Sequence, residues 1–257
     1  MKIVFIGAGH LATGLSMEMQ RVGMTVNQIY SRTKEHAGTL ARKLNCSWTN
    51  QLHEVTADAD LYIFAVPESV LAQILPQIPL NKGLWVHTSG CMPMQVFEGY
   101  TNRYGVFFLV QAFSIQRKIA LGGTPVFIEA NNPKDLSVLQ KVAIALSGNA
   151  QVISFEKRKH IHLASVFAGR FVNRLYAIAG KILQEQEIPY SVLLPLIIET
   201  AAKTEHIAPL EVQAGQGNLD REVMEKLTSM LNNEMMKTVY ALLNSPMDEN
   251  EDGEPIA

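Results

Sequence analysis

Six residues near the amino terminus, Gly7-Ala8-Gly9-His10-Leu11-Ala12, stand between an apolar run, Lys2 to Ile6, and a stretch of helical spacing from His10 to Val22 that Gly23 closes. A strand that turns through glycines into a helix is the opening of a dinucleotide-binding βαβ unit. Each small residue has its own task. Gly7 permits the tight turn, Gly9 lets the backbone approach a pyrophosphate, and Ala12 allows helix and strand to pack closely. The phosphates then meet free N–H groups and the positive end of the helix dipole.

The rest of the chain keeps the same rhythm as far as residue 153. Thr25 to Tyr30 reads as a second strand and Thr33 to Leu44 as a helix, while Asp60 to Val66 and Leu84 to His87 read as buried strands. Val106 to Val110, Pro125 to Ile128 and Ala150 to Ile153 continue the series, with a helix over Lys134 to Ser147. Short apolar strands separated by helices predict an α/β fold, a Rossmann doubly wound parallel sheet covered on both faces. From Glu156 onward only helical spacing remains, over about 157–186, 190–206 and 220–244. The expected organisation is a nucleotide-binding Rossmann domain over 1–153, an all-α substrate and dimerisation domain over 154–244, and an acidic tail over 245–257. That tail, with two prolines, is expected to be disordered.

At the end of the second strand an NAD site commonly places Asp or Glu against the ribose 2′-OH. This chain has Tyr30-Ser31-Arg32-Thr33-Lys34 and no acid before Glu35. A guanidinium beside a hydroxyl and an ammonium suits a 2′-phosphate, which Arg holds bidentately, so the expected cofactor is NADP. The net charge of −2 comes from Asp248, Glu249, Glu251, Asp252 and Glu254; without these five acids it would be +3. Lys157-Arg158-Lys159 is the only tight basic cluster, and no aromatic residues interleave with it. It reads as a solvated face and argues against nucleic acid as a partner. Cys46 and Cys91 are too few for a disulfide framework or a metal site, and the chain opens without a signal-peptide pattern. No apolar run approaches the roughly 18 residues a membrane span requires. A soluble, cytoplasmic protein without metal or membrane contact is therefore expected.

Gly7 to Ala12, Ser31-Arg32-Thr33, Ala65-Val66-Pro67 and His87-Thr88-Ser89-Gly90 together resemble the group containing pyrroline-5-carboxylate reductase and F420-dependent NADP oxidoreductase. Gln111-Ala112-Phe113-Ser114, His162 to Ala168 and Phe171-Val172-Asn173 bring the chain nearer to Rossmann-like proteins with a C-terminal domain of unknown function numbered 2520. This resemblance implies an NADP-binding domain followed by a helical domain that contributes to the active-site cleft and to a homodimer. It supplies no substrate. Two departures from the family pattern stand out: Arg170 where relatives carry Asn, and Ala214 to Asp220 where they carry a Thr-Gly-Pro segment.

Hydride transfer needs a fixed nicotinamide, a proton source and exclusion of water. Ligands of such sheets bind at the carboxyl edge, so Ala65, Val66, Pro67 and Ser89 are expected to border the nicotinamide and its ribose. Pro67 as a plain strand terminator is an equal reading. His162, Val166, Arg170 and Asn173 fall on one helical face, since spacings of 4, 8 and 11 residues return to about the same angle. His162 then suits a proton donor, Arg170 a carboxylate or carbonyl partner, and Asn173 an orienting amide. An interface histidine with a dimer salt bridge fits the same spacing. His87, at a strand end, reads as structural. The expected activity is an NADP(H)-dependent oxidoreductase acting on a small carbonyl or imine that carries a carboxylate. The alternative is a catalytically lapsed NADP-binding or regulatory protein.

Overall fold

The computed structural model describes residues 1–114, 120–208, 211, 221–231 and 233–243. The expected acidic tail and the Ala214 to Asp220 segment lie outside the described residues. The chain divides into two compact units, Met1–Gly169 and Arg170–Ala257.

The first unit is built on eight strands: β1 (Lys2–Ile6), β2 (Thr25–Tyr30), β3 (Ser47–Thr49), β4 (Leu61–Phe64), β5 (Leu84–His87), β6 (Tyr104–Leu109), β7 (Val126–Ala130) and β8 (Ala150–Val152). Their order in the sheet is β3-β2-β1-β4-β5-β6-β7-β8. Neighbours are parallel except β6 and β7, which run antiparallel with Phe107 opposite Ile128. The expected sheet is thus present, but not wholly parallel, and β3 adds an edge strand whose three residues are too few to show a sequence period. Helices α1 (His10–Arg21), α2 (Lys34–Leu44), α3 (Glu68–Ile74), α4 (Pro133–Ser147) and α5 (Phe155–Ser165) complete this unit.

Successive side chains of a strand point to opposite faces, so a strand buried on both sides is apolar throughout. In β1, Ile3 and Phe5 join a cluster with Leu15 and Met19 of α1, Leu40 of α2 and Leu139 of α4. Val4 and Ile6 belong to a second cluster containing Tyr62, Phe64, Trp85 and Phe97. The rings of Phe64 and Trp85 lie 5.1 Å apart. Helix α4 is closed at both ends: the Asn132 side chain accepts the N–H of Asp135, Pro133 occupies the first turn, and Gly148 takes the left-handed conformation. Such caps satisfy groups that a helix end otherwise leaves bare.

The second unit is helical, with no strand among its described residues. It comprises α6 (Val172–Gln184), a 3₁₀ turn (Tyr190–Leu193), α7 (Leu194–Lys203), α8 (Arg221–Ser229) and α9 (Glu234–Leu243). Between α5 and α6 the chain forms a π-helical stretch, Val166–Phe171. The single long helix expected there is therefore interrupted. Bonds in a π turn close at i+5 rather than i+4, so regular α spacing does not carry the placement of His162, Arg170 and Asn173 on one stripe. No helix among the described residues is long and apolar enough to cross a membrane.

Candidate functional site

The parallel strands β2, β1, β4 and β5 are consecutive in the sheet, and this aligns the loops that follow them along one edge. Backbone hydrogen bonds extend the ladder into those loops. The N–H of Gly7 donates to the Tyr30 carbonyl at 2.8 Å, that of Ala65 to Ile6 at 2.8 Å, that of Thr88 to Phe64 at 3.3 Å, and that of Ser31 to Thr49 at 3.2 Å.

Gly7 has φ +121°, and a Cβ there would stand 2.3 Å from the Ala65 carbonyl oxygen. No other residue fits this turn. Gly9 is the N-cap of α1 and makes no side-chain capping bond, and the first turn of the helix carries no acid. A Cβ added at Gly9 would meet nothing within 4 Å. Ala12 is fully buried beneath the turn, Ala8 and Leu11 are half-buried, and Gly9 and His10 are exposed. The first N–H groups of a helix have no partner within it. An open glycine N-cap with no competing anion thus fits a diphosphate.

At the end of β2, Ser31 Oγ accepts the N–H of Thr33 at 3.3 Å. Arg32 and Lys34 are exposed, and neither forms an ion pair among the described residues. The residues present therefore fit a cofactor that carries a second phosphate on its adenosine ribose. Burial pushes the Tyr30 phenol above its ordinary pKa, against the nearby Arg32 charge.

Past β4, Ala65 and Val66 are half-buried and Pro67 is exposed. Pro67 serves as N-cap of α3, which begins at Glu68. Past β5 the chain makes a tightly bonded turn. Ser89 Oγ accepts the N–H groups of Cys91 and Met92, each at 3.0 Å, and donates to Oε1 of Glu68. The N–H of Ser89 donates to Nδ1 of His87 at 3.2 Å. His87 is therefore neutral with its proton on Nε2, and that atom is buried without a partner among the described residues. Burial, and secondly the charge of Arg158, lower its pKa to about 3, while the Pro93 carbonyl opposes the shift.

Arg158 is the residue that the sequence reading misjudged. Within Lys157-Arg158-Lys159 it was expected to be solvated, yet it is fully buried. Its Nε donates to Oε1 of Glu129 at 2.6 Å, Nη1 to the Ser89 carbonyl at 2.6 Å, and Nη2 to the Met92 carbonyl at 2.9 Å. Each arm of the fork thus reaches a different acceptor, and the guanidinium carbon lies 5.2 Å from the Phe155 ring centroid. A signal was present in the spacing. Phe155, Arg158, Ile161 and His162 recur at i, i+3, i+6 and i+7, the inward face of a helix.

His162 is half-buried at the same turn. A Cβ at Gly90 would lie 2.3 Å from the imidazole Cγ, and the Phe108 ring meets the imidazole edge-on with centroids 5.8 Å apart. The fold thus brings His162, Ser89, Glu68, Ala65 and Gly7 to one edge of one unit. Arg170 and Asn173 belong to the second unit, where both are exposed. Glu68 was missed by the sequence reading, which stopped at Pro67; nothing local distinguishes it from an ordinary first-turn acid.

Residues 2–87 match the family model described as NADP oxidoreductase, coenzyme F420-dependent. Residues 124–246 match the domain of unknown function numbered 2520. A solved Bacteroides fragilis protein, described as a candidate NADP oxidoreductase, is 38% identical, with 95% of this chain and 96% of that one aligned at a TM-score of 0.88. A pyrroline-5-carboxylate reductase from Streptococcus pyogenes shares the fold at 12% identity, covering 95% of each chain, with a TM-score of 0.66. An imine reductase from Myxococcus stipitatus, solved with NADP+, does so at 16% identity over 95% of this chain and 92% of that one, also at 0.66. No curated protein sequence matches the chain.

Proposed function

Since this chain belongs to the family of Rossmann-like NADP oxidoreductases that carry the domain of unknown function 2520, we propose that it reduces or oxidises a small carbonyl or imine substrate bearing a carboxylate. The observation that carries the cofactor assignment is the pairing of an open glycine N-cap on α1 with two exposed cations, Arg32 and Lys34, that form no ion pair among the described residues, at the end of the adjoining strand. Gly7, Ala8, Gly9, His10, Leu11 and Ala12 hold the diphosphate. Ser31, Arg32 and Lys34 hold the 2′-phosphate, and Ala65, Val66, Pro67 and Ser89 border the nicotinamide riboside. NADP, when bound, supplies or accepts the hydride. His162 donates or takes up the proton. On the second unit, taken by itself, Arg170 is a group suited to a carboxylate and Asn173 an orienting amide. The pyrroline-5-carboxylate and imine reductases that share the fold support this substrate class.

Calorimetry with NADPH and NADH tests the reading. NADPH should bind more tightly, and Arg32→Ala should erase most of the difference, since a charge-assisted contact contributes about 1.5 to 3 kcal/mol. Equal affinity of the unmodified protein for both nucleotides would refute the assignment.

The second unit exposes Leu175, Val192, Leu194, Leu196 and Ile198. Apolar surface of this extent is a liability on a monomer, which supports the homodimer. Cys46 and Cys91 are both free, which suits a reducing, cytoplasmic setting.

A further inference from the structure

The hydroxyl of Ser89 has no hydrogen-bonding capacity left to offer a ligand. A serine hydroxyl has one donor and two acceptor positions. Both acceptor positions are taken by the N–H groups of Cys91 and Met92, and the proton goes to Glu68. The turn around it is held as firmly, because Arg158 binds the carbonyls of Ser89 and Met92. Ser89 can reach a ligand only by breaking one of these bonds. Glu68 is different. It is exposed, and an ionised carboxylate has about four acceptor positions, of which the Ser89 hydroxyl fills one.

We propose that Glu68 is a cofactor-binding residue whose carboxylate, held by Ser89, accepts hydrogen bonds from the ribose hydroxyls of the nicotinamide half of NADP. This rests on the NADP reading above. A carboxylate accepts and does not donate, so it repels phosphates and recognises only donors. The order β2-β1-β4-β5 then selects which donors. The end of β2 carries the cations suited to the 2′-phosphate, and the end of β1 carries the glycine turn suited to the diphosphate. One strand further on, at the end of β4, stands Glu68. Passing along the dinucleotide in that direction, the next group after the diphosphate is the second ribose, whose free hydroxyls are donors. Ser89 is then a positioning residue that fixes the carboxylate toward them.

Two probes separate this from a general loss of structure: NADPH, and adenosine 2′,5′-bisphosphate, which carries the 2′-phosphate but no nicotinamide riboside. Binding of each is measured by calorimetry to the unmodified protein, Glu68→Ala and Ser89→Ala. Glu68→Ala should weaken NADPH by about tenfold and leave the bisphosphate within about twofold, and Ser89→Ala should weaken NADPH by a smaller factor. Because Glu68 is exposed, the variant should melt with the unmodified protein. Unchanged or tighter NADPH binding by Glu68→Ala, or equal losses for both probes, would overturn the proposal. Failure of the unmodified protein to bind either probe would instead overturn the NADP reading, and this proposal with it.

Discussion

Arg158→Met keeps the apolar stem of the side chain and removes the guanidinium. In the folded protein that group is fully buried, with arms on the Glu129 carboxylate at 2.6 Å and on the carbonyls of Ser89 and Met92 at 2.6 and 2.9 Å. Its removal strands a carboxylate that is 11% exposed, together with two carbonyls. Removing one partner of a buried ion pair costs about 3 to 5 kcal/mol, chiefly because the other charge remains buried and unpaired. The individual bonds are not additive, so about 4 kcal/mol is expected for the variant. At about 2 to 4 °C per kcal/mol for a unit of this size, the melting temperature should fall by roughly 8 to 16 °C. Urea unfolding at 25 °C and scanning calorimetry read the two quantities. The double variant Arg158→Met with Glu129→Met should recover a good part of the loss, since it no longer strands a charge. A loss under about 1 kcal/mol, or a double variant no more stable than the single one, would refute the reasoning.

Stability should also fall in acid through His87. Its pKa drops from the ordinary 6.5 to about 3 on folding, so between these values the unfolded chain binds a proton that the folded chain excludes. Stability is complete above 6.5 and declines by about 1.4 kcal/mol per pH unit below it; His87→Leu should flatten that slope, and an unchanged slope in pH-dependent urea unfolding would contradict it. Light scattering at micromolar concentration should give twice the 28.5 kDa mass of the chain, and a monomer would count against the dimer.

Much of this protein was legible in the sequence because its signals are local. Gly7 and Gly9 lie within one turn, and β1, β4 and β5 are unbroken apolar runs because both faces of the sheet are covered. The change to helical spacing after Glu156 is equally a matter of near neighbours. The antiparallel pairing of β7 was not legible, since strand direction depends on how a chain returns to the sheet. Nor was the π stretch Val166–Phe171, which departs from the regular period by which a helix is recognised. The candidate site divides along the same line. The glycine turn and the Arg32 cluster are contiguous motifs, whereas the Ser89 turn is assembled from Glu68, 21 residues before it, and Arg158, 69 residues after it. A charge read in sequence has only its neighbours for context, and there Arg158 looks solvated. The helical spacing puts it on the inward face with Phe155 and Ile161, but its burial was decided by the tertiary structure, because only folding brings a carboxylate and two carbonyls to the three arms of one guanidinium, and without those partners the same charge would cost too much to remove from water.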